Sequence, residues 1–215
     1  MIHCALCIND RNGTYFVYLH TVVNSILHNA SRPVCFHIIA DETVGPERRK
    51  MLEDLAAARG GQVAFYSPPH IPEDAVASIQ EGFGIGTMYR LFLHEVAPCD
   101  KVIYLDCDIT VNMDLAELYD IDLGEHYLAA VEEPNLTYRE KFEGLSSFSK
   151  QPERYFNAGM LLMNLRKFRE LCAGRNVFLD AFIEHHATLT FNDQDLLNGI
   201  LASIDDSVLF VDEKY

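Results

Sequence analysis

Basic side chains are scarce in this chain. Seventeen lysines and arginines stand against 32 aspartates and glutamates, a formal net charge of −15. Nucleic-acid binding needs a basic footprint and is excluded on that ground. An acidic protein that takes an anionic ligand needs a cation or local arginines to reverse its own field. Long hydrophobic runs are missing as well: no stretch reaches the ~18 apolar residues of a membrane helix. Residues 1–7 have neither the basic flank nor the cleavage site of a signal peptide, so a cytoplasmic location is expected. The six cysteines lack zinc-type pairing. Cys4-x-x-Cys7 has no second pair and lies in an apolar strand pattern, which reads as small buried hydrophobes kept reduced in the cytosol. Internal repeats, linkers and low-complexity tracts are absent, and there is no tryptophan.

What remains is an ordinary globular composition over 215 residues, 49% hydrophobic, long enough for one large α/β domain. The first half alternates strand and helix. Residues 3–8, 34–40 and 63–66 read as strands. Leu19, Val22, Val23, Ile26 and Leu27 mark an amphipathic helix, and Pro46 opens another that Gly60-Gly61 closes. A helix over 87–96 leads into a strand at 102–105. Such alternation implies a mostly parallel, doubly wound sheet. Beyond it, Asp114 caps a short helix to Tyr119, 127–131 and 156–165 read as strands, and 134–153 reads as a polar loop. Helices are expected over 166–173 and 176–186. Asp193 caps a helix carrying Leu196, Leu197, Ile200 and Leu201, and 207–211 forms a last strand. Residues 1–215 are expected to form a single domain.

The strongest chemical signal is Lys101-Val102-Ile103-Tyr104-Leu105-Asp106-Cys107-Asp108. An apolar strand runs into two carboxylates at i and i+2, which share a face. In open α/β sheets ligands bind beyond the carboxyl ends of the strands, and paired carboxylates there suit a hard divalent cation carrying a diphosphate. Residues 105–110 also fit the hydrophobic-Asp-x-Asp-x-Thr pattern of haloacid-dehalogenase-type phosphatases, with Asp205-Asp206 as later metal carboxylates. In that fold, however, the motif follows the first strand.

Further segments accompany the acidic pair in order. They are Asn9-Asp10 with Tyr15 after the first strand, Tyr89-Arg90-Leu91, the run from Tyr155 to Leu165 containing Asn157, and Asn192-Asp193-Gln194-Asp195. Together they resemble glycosyltransferase family eight, retaining enzymes of the GT-A fold, over nearly the whole chain. The resemblance implies that Asp106 and Asp108 bind Mn²⁺ or Mg²⁺ bridging the phosphates of a UDP-sugar. It implies that Arg90, Asn9, Asp10, Tyr15, Asp106, Glu133 and Asn157 contact the donor, with Asp193 and Gln194 at the reacting sugar. Residues 11–14 interrupt the family's tighter spacing between the Asn-Asp pair and the tyrosine. The partners so implied are a UDP-hexose (galactose or glucose) and a carbohydrate or glycolipid acceptor of lipopolysaccharide type. Retention by same-face displacement is expected, because the group nearest the anomeric carbon matches Gln194, a poor nucleophile. The family's third metal ligand lies in a C-terminal segment of the type His-Tyr/Phe-x-Gly-x-x-Lys-Pro-Trp. None of the nine histidines has that context, so residues 1–215 are expected to lack that segment and any peripheral membrane contact it makes. A truncated, non-catalytic UDP-binding domain is the alternative. His185 and His186, in a helical pattern, read as surface or packing residues.

Overall fold

A computed structural model describes residues 1–77, 79 and 84–215. Its centre is a seven-stranded sheet of order β3-β2-β1-β4-β6-β5-β7. The strands are β1 (Ile2–Ile8), β2 (Val34–Ala40), β3 (Gln62–Tyr66), β4 (Lys101–Leu105), β5 (Leu128–Glu132), β6 (Phe156–Asn164) and β7 (Val208–Phe210). Pairing is parallel from β3 through β2 and β1 to β4 and again between β5 and β7. β6 alone runs antiparallel, between β4 and β5. Of the parallel strands, β1, β2 and β4 are buried almost throughout, as their unbroken apolar runs require, while the edge strands β3 and β7 are only partly buried.

Alternation along β1 assigns the two faces. Ile2, Cys4, Leu6 and Ile8 face a layer made by α1 (Phe16–Asn29), α2 (Pro46–Ala57) and, farther along, α5 (Ala116–Tyr119). Ala5 and Cys7 face the opposite layer. That layer holds a 3₁₀ segment (Ile85–Phe92), α4 (Leu93–Val96), α7 (Leu165–Leu171), α8 (Val177–His185) and α9 (Asn192–Leu201). Two short helices, α3 (Glu73–Ala77) and α6 (Tyr138–Glu143), lie in connections. All six cysteines are free, and Cys4 and Cys7 are buried hydrophobes as their pattern suggests. Among the described residues no helix is long and apolar enough to cross a membrane.

Three local expectations are corrected. The helix over 87–96 is mostly a 3₁₀ segment. Its five consecutive residues from Met88 to Phe92 are all buried, and the Thr87 carbonyl accepts from the Arg90 side chain at 3.0 Å. The 134–153 loop contains α6, opened by a capping box in which Thr137 and Glu140 satisfy each other's backbone N–H. Asp193 does not cap α9. Asp195 instead ties the preceding loop to the first turn, its carboxylate accepting from the Thr190 and Phe191 amides at 2.7 and 2.8 Å. β4 ends at Leu105 as expected, and Asp106 and Asp108 stand on the turn that follows.

Candidate functional site

The acidic turn is aimed by its neighbours. The Asp106 amide makes one last sheet-like bond to the Gly159 carbonyl of β6 at 2.9 Å. Cys107 then turns into the core, its thiol donating to the Cys7 carbonyl at 3.3 Å, and Asp108 emerges exposed. Inward–outward alternation therefore outlasts the strand by three residues. Tyr104, two residues before Asp106 and on the same face, donates its hydroxyl to Asp106 Oδ1 at 2.7 Å. A β-carbon on Gly159 would stand 3.0 Å from Asp106 Oδ2 and 3.0 Å from Asn157 Oδ1. Only glycine leaves both side chains where they are.

Arg90 is the hub. It is 4% exposed and spends its donors on the protein. It reaches Asp106 at 2.8 Å, Asp193 at 3.0 Å and the Ala158 carbonyl at 2.6 Å, with its guanidinium 4.4 Å over the Tyr104 ring. Burial alone would lower its pKa, but Asp193, Tyr104 and Asp106 outweigh that and hold it above the ordinary arginine value. Burial pushes Asp193 up to about 6 against the pull of Arg90. Gln194, next to Asp193, accepts from the Ala158 amide at 2.8 Å and donates to the Tyr155 hydroxyl at 3.2 Å. One residue of β6, Ala158, is thus held by Arg90 on its carbonyl and by Gln194 on its amide. Asn192, at the start of α9, holds φ +22° with a fully buried amide that finds no partner. Strain of this kind persists only where the surrounding fold enforces it.

The β1–α1 loop faces this assembly. Asn9 donates to Asp41 in a short contact, and Tyr89 meets Asn9. Asp10 is buried. It accepts from the Tyr15 and Phe16 amides at 2.7 and 3.2 Å and pairs with Arg48 at 2.7 Å, so it caps α1. The Tyr15 hydroxyl bonds Asp108 across the opening. Between the two walls lies a cleft of about 650 Å³ lined by Asn9, Asp10, Tyr15, Arg90, Asp106 and Asp108 among others. It sits at the carboxyl ends of β1 and β4. Glu133 and Asn157 bond each other at 2.6 Å and line a smaller cleft of about 230 Å³, which Gly159 separates from Asp106.

Sequence reasoning missed several supporting residues. Tyr104 was recoverable from strand periodicity. Arg48, Thr87, Asp41 and Gly159 carry no local signal. Asp195 belongs to the 192–195 segment, and Asn198, one turn farther along α9, clamps the Phe156 amide and carbonyl at 3.0 Å each. Asp205 and Asp206 are engaged with Lys150 and His126 and line a separate cleft. The phosphatase pattern therefore lacks its second acidic pair at this site. His185 packs on Phe148, 4.4 Å between ring centres.

Comparison with known proteins gives this constellation a home. The family model "Glycosyl transferase family 8" matches residues 3–215. The chain belongs to glycosyltransferase family 8. Within the family it is 30% identical over 206 residues to glycosyltransferase GlyF of Streptococcus pneumoniae, covering 95% of this chain and 46% of that protein. It is also 30% identical to a Haemophilus influenzae protein carrying a provisional glycosyltransferase name, covering 94% of this chain and 59% of that one. The chain spans about half the length of these curated relatives. Among solved structures, an active-site mutant of the galactosyltransferase LgtC superposes with a TM-score of 0.77 at 25% identity, over 100% of this chain and 74% of that one. Glycosyltransferase GlyE of Streptococcus pneumoniae superposes at 0.73 with 23% identity, over 100% of this chain and 46% of that one, a likeness of fold. The expected GT-A fold is the one observed: a mostly parallel seven-stranded sheet between helical layers. Family membership leaves the phosphatase reading without support.

Proposed function

We propose that this family 8 glycosyltransferase transfers a hexose, galactose or glucose, from a UDP-sugar to a glycan or lipopolysaccharide-type acceptor, with retention and with the help of a divalent metal. The observation that carries the reading is Arg90, buried and shared between Asp106 and Asp193 at the edge of the cleft. Asp106 and Asp108 are the residues to hold the metal. Arg90 and Tyr104 occupy one oxygen of Asp106, its other oxygen lies on the Gly159 side, and Asp108 is exposed. All-oxygen donors fit Mg²⁺ or Mn²⁺, which take one or two protein carboxylates alongside substrate phosphates. Bound there, such an ion supplies Lewis-acid stabilisation of the departing diphosphate. A histidine of the type His-Tyr/Phe-x-Gly-x-x-Lys-Pro-Trp, present in the family pattern and not within residues 1–215, would complete its coordination. Residues 1–215 then act as one GT-A domain.

The chain's own groups are suited to orienting rather than attacking. Asp193 is held by Arg90 and lies 7% exposed, so it does not serve as a free carboxylate nucleophile. Gln194 keeps its oxygen on the Ala158 amide. These groups suit same-face displacement: the acceptor hydroxyl attacks beside the leaving diphosphate, whose oxygen takes the hydroxyl proton, and the protein contributes position and fixed charge. Asn9 and Tyr15 suit the nucleoside side of the cleft. Asp10 and Arg90 act as positioning groups for α1 and for Asp106. Glu133 and Asn157 suit the sugar or acceptor side.

Calorimetry with UDP and Mn²⁺, together with UDP-galactose and UDP-glucose hydrolysis, tests this. UDP binding is expected to require Mn²⁺ and to be lost in Asp108→Asn. Unchanged affinity in that variant refutes the metal assignment. Absence of UDP binding both in this chain and in one extended at its C-terminus leaves only a structural domain.

A further inference from the structure

The end of the sheet opposite the cleft carries different chemistry. His3 near the start of β1, His37 in β2 and Cys99 just before β4 bring one donor atom each to within 4.8 Å of one another. His3 Nδ1 and His37 Nε2 are 2.8 Å apart, and Cys99 Sγ is 3.7 Å from the same His37 nitrogen. A tetrahedral zinc site, with Zn–N near 2.05 Å and Zn–S near 2.3 Å, needs about 3.4 Å between nitrogens and about 3.6 Å between nitrogen and sulfur. The sulfur is already at that separation from His37 and within 4.8 Å of the His3 donor. The imidazoles need to part by roughly half an ångström by the same geometry, and His3 is half-buried, its ring stacked on that of His37 with 5.2 Å between centres.

Two of the three donors are pre-oriented. His37 is 2% exposed, and its other ring nitrogen lies 3.0 Å from the Tyr66 hydroxyl, the kind of outer partner that fixes a ligating imidazole. Cys99 sits in a turn that Arg169 ties down, donating to the Cys99 carbonyl at 2.6 Å and the Ala97 carbonyl at 2.9 Å.

We propose that His3, His37 and Cys99 bind one zinc-class ion, leaving its fourth position to water or an outside ligand. The donor set of two imidazoles and one thiolate selects zinc-like ions and offers nothing to Mg²⁺ or Ca²⁺. The site therefore discriminates against the ion that suits Asp106 and Asp108, at the other end of the same strands. β4, five residues long, separates the two by roughly 16 Å. Binding ties β1 and β2 to the turn that launches β4.

The test uses the whole chain, stripped of metal and titrated with Co²⁺ as a spectroscopic stand-in for Zn²⁺. One equivalent is expected to produce a thiolate-to-cobalt charge-transfer band that one equivalent of Zn²⁺ abolishes. The band should persist in Asp108→Asn, which isolates this site from the cleft, and disappear in Cys99→Ser. His3→Gln, at a half-buried position and so tolerant of change, should weaken Co²⁺ binding by about tenfold or more, the loss typical even of outer-shell partners. Zn²⁺ should raise the melting temperature of the wild type and of Asp108→Asn but not of Cys99→Ser. No band at one equivalent of Co²⁺ overturns the proposal. So does a band that survives Cys99→Ser, or one lost in Cys35→Ser, since Cys35 faces His3 across the β1–β2 pair.

Discussion

The two walls of the cleft both use an arginine paired with an aspartate, and they use it differently. On the β1–α1 wall, Asp10 is buried but Arg48 keeps about a third of its side chain in water. The Asp10 carboxylate also accepts two amides from the start of α1, so most of its hydrogen bonding is local. On the β4–β6–α9 wall, Arg90, Asp106 and Asp193 are drawn from elements far apart in sequence, and Arg90 is almost wholly buried. A buried ion network adds little net stability over an apolar core of the same shape, yet removing one member leaves the others charged and dry. The first wall is built to keep a helix in place. The second is built so that its parts hold only together.

That contrast predicts its own most severe test. Arg90→Ala leaves Asp193 and the inner oxygen of Asp106 without their cation. Unfolding free energy should drop by about 3–5 kcal/mol, with Mn²⁺-dependent UDP binding abolished. Arg90→Lys should rescue little, because one ammonium cannot reach Asp106, Asp193 and the Ala158 carbonyl at once. A lysine variant with wild-type stability, measured by urea unfolding, would break the comparison.

A second test uses pH. Asp193 titrates near 6 in the fold, above the ordinary 3.8. Between those values the folded protein holds a proton that the unfolded chain has released, so stability falls as pH rises. Relative to Asp193→Asn, the wild type should lose stability from about pH 4 to about pH 6, the penalty being absent below and complete above. The fully charged Arg90–Asp193 pair exists only on the high side of that window. Melting curves of both proteins at several pH values check this, and parallel profiles would contradict it.

These walls also differ in how far the sequence discloses them. The alternation of strand and helix before Asp108, the stripe of α1 and the apolar runs of β2 and β4 follow from composition and period alone. The capping box at Thr137 and Glu140 was equally readable and lay hidden only in an otherwise polar stretch. Tyr104 beneath Asp106 follows from a period of two. The Arg90 hub does not follow from any local rule. Its partners are the Ala158 carbonyl, which any residue type would supply, and Asp193, whose position before an apolar stripe imitates a helix cap. Gly159 likewise shows no preference until Asp106 and Asn157 are seen on either side of it. Motif order located these residues; only the folded arrangement shows that several of them hold one another.

Asp10→Ala is expected to cost less than Arg90→Ala. It removes the cap of α1 and one ion pair, about 2 kcal/mol in all, because Arg48 can turn to water. UDP binding should weaken without vanishing, as α1 and Tyr15 lose their anchor. Loss of stability equal to that of Arg90→Ala would show that the two walls are energetically alike after all.

The smallest effect belongs to Arg48→Ala. Its guanidinium pairs with Asp10, donates to the Gly13 carbonyl at 3.1 Å and lies 5.1 Å over the Phe16 ring. The arginine end of these contacts stays about a third in water, which screens the pair towards the roughly 0–1 kcal/mol of an exposed one. Asp10 keeps both amide bonds after the change, so its charge is not stranded. Urea unfolding should register a loss of about 1 kcal/mol, with Mn²⁺-dependent UDP affinity within a few-fold of wild type. If Arg48→Ala instead abolishes UDP binding, then Arg48 meets the donor directly. The β1–α1 wall would then carry recognition as well as a helix cap.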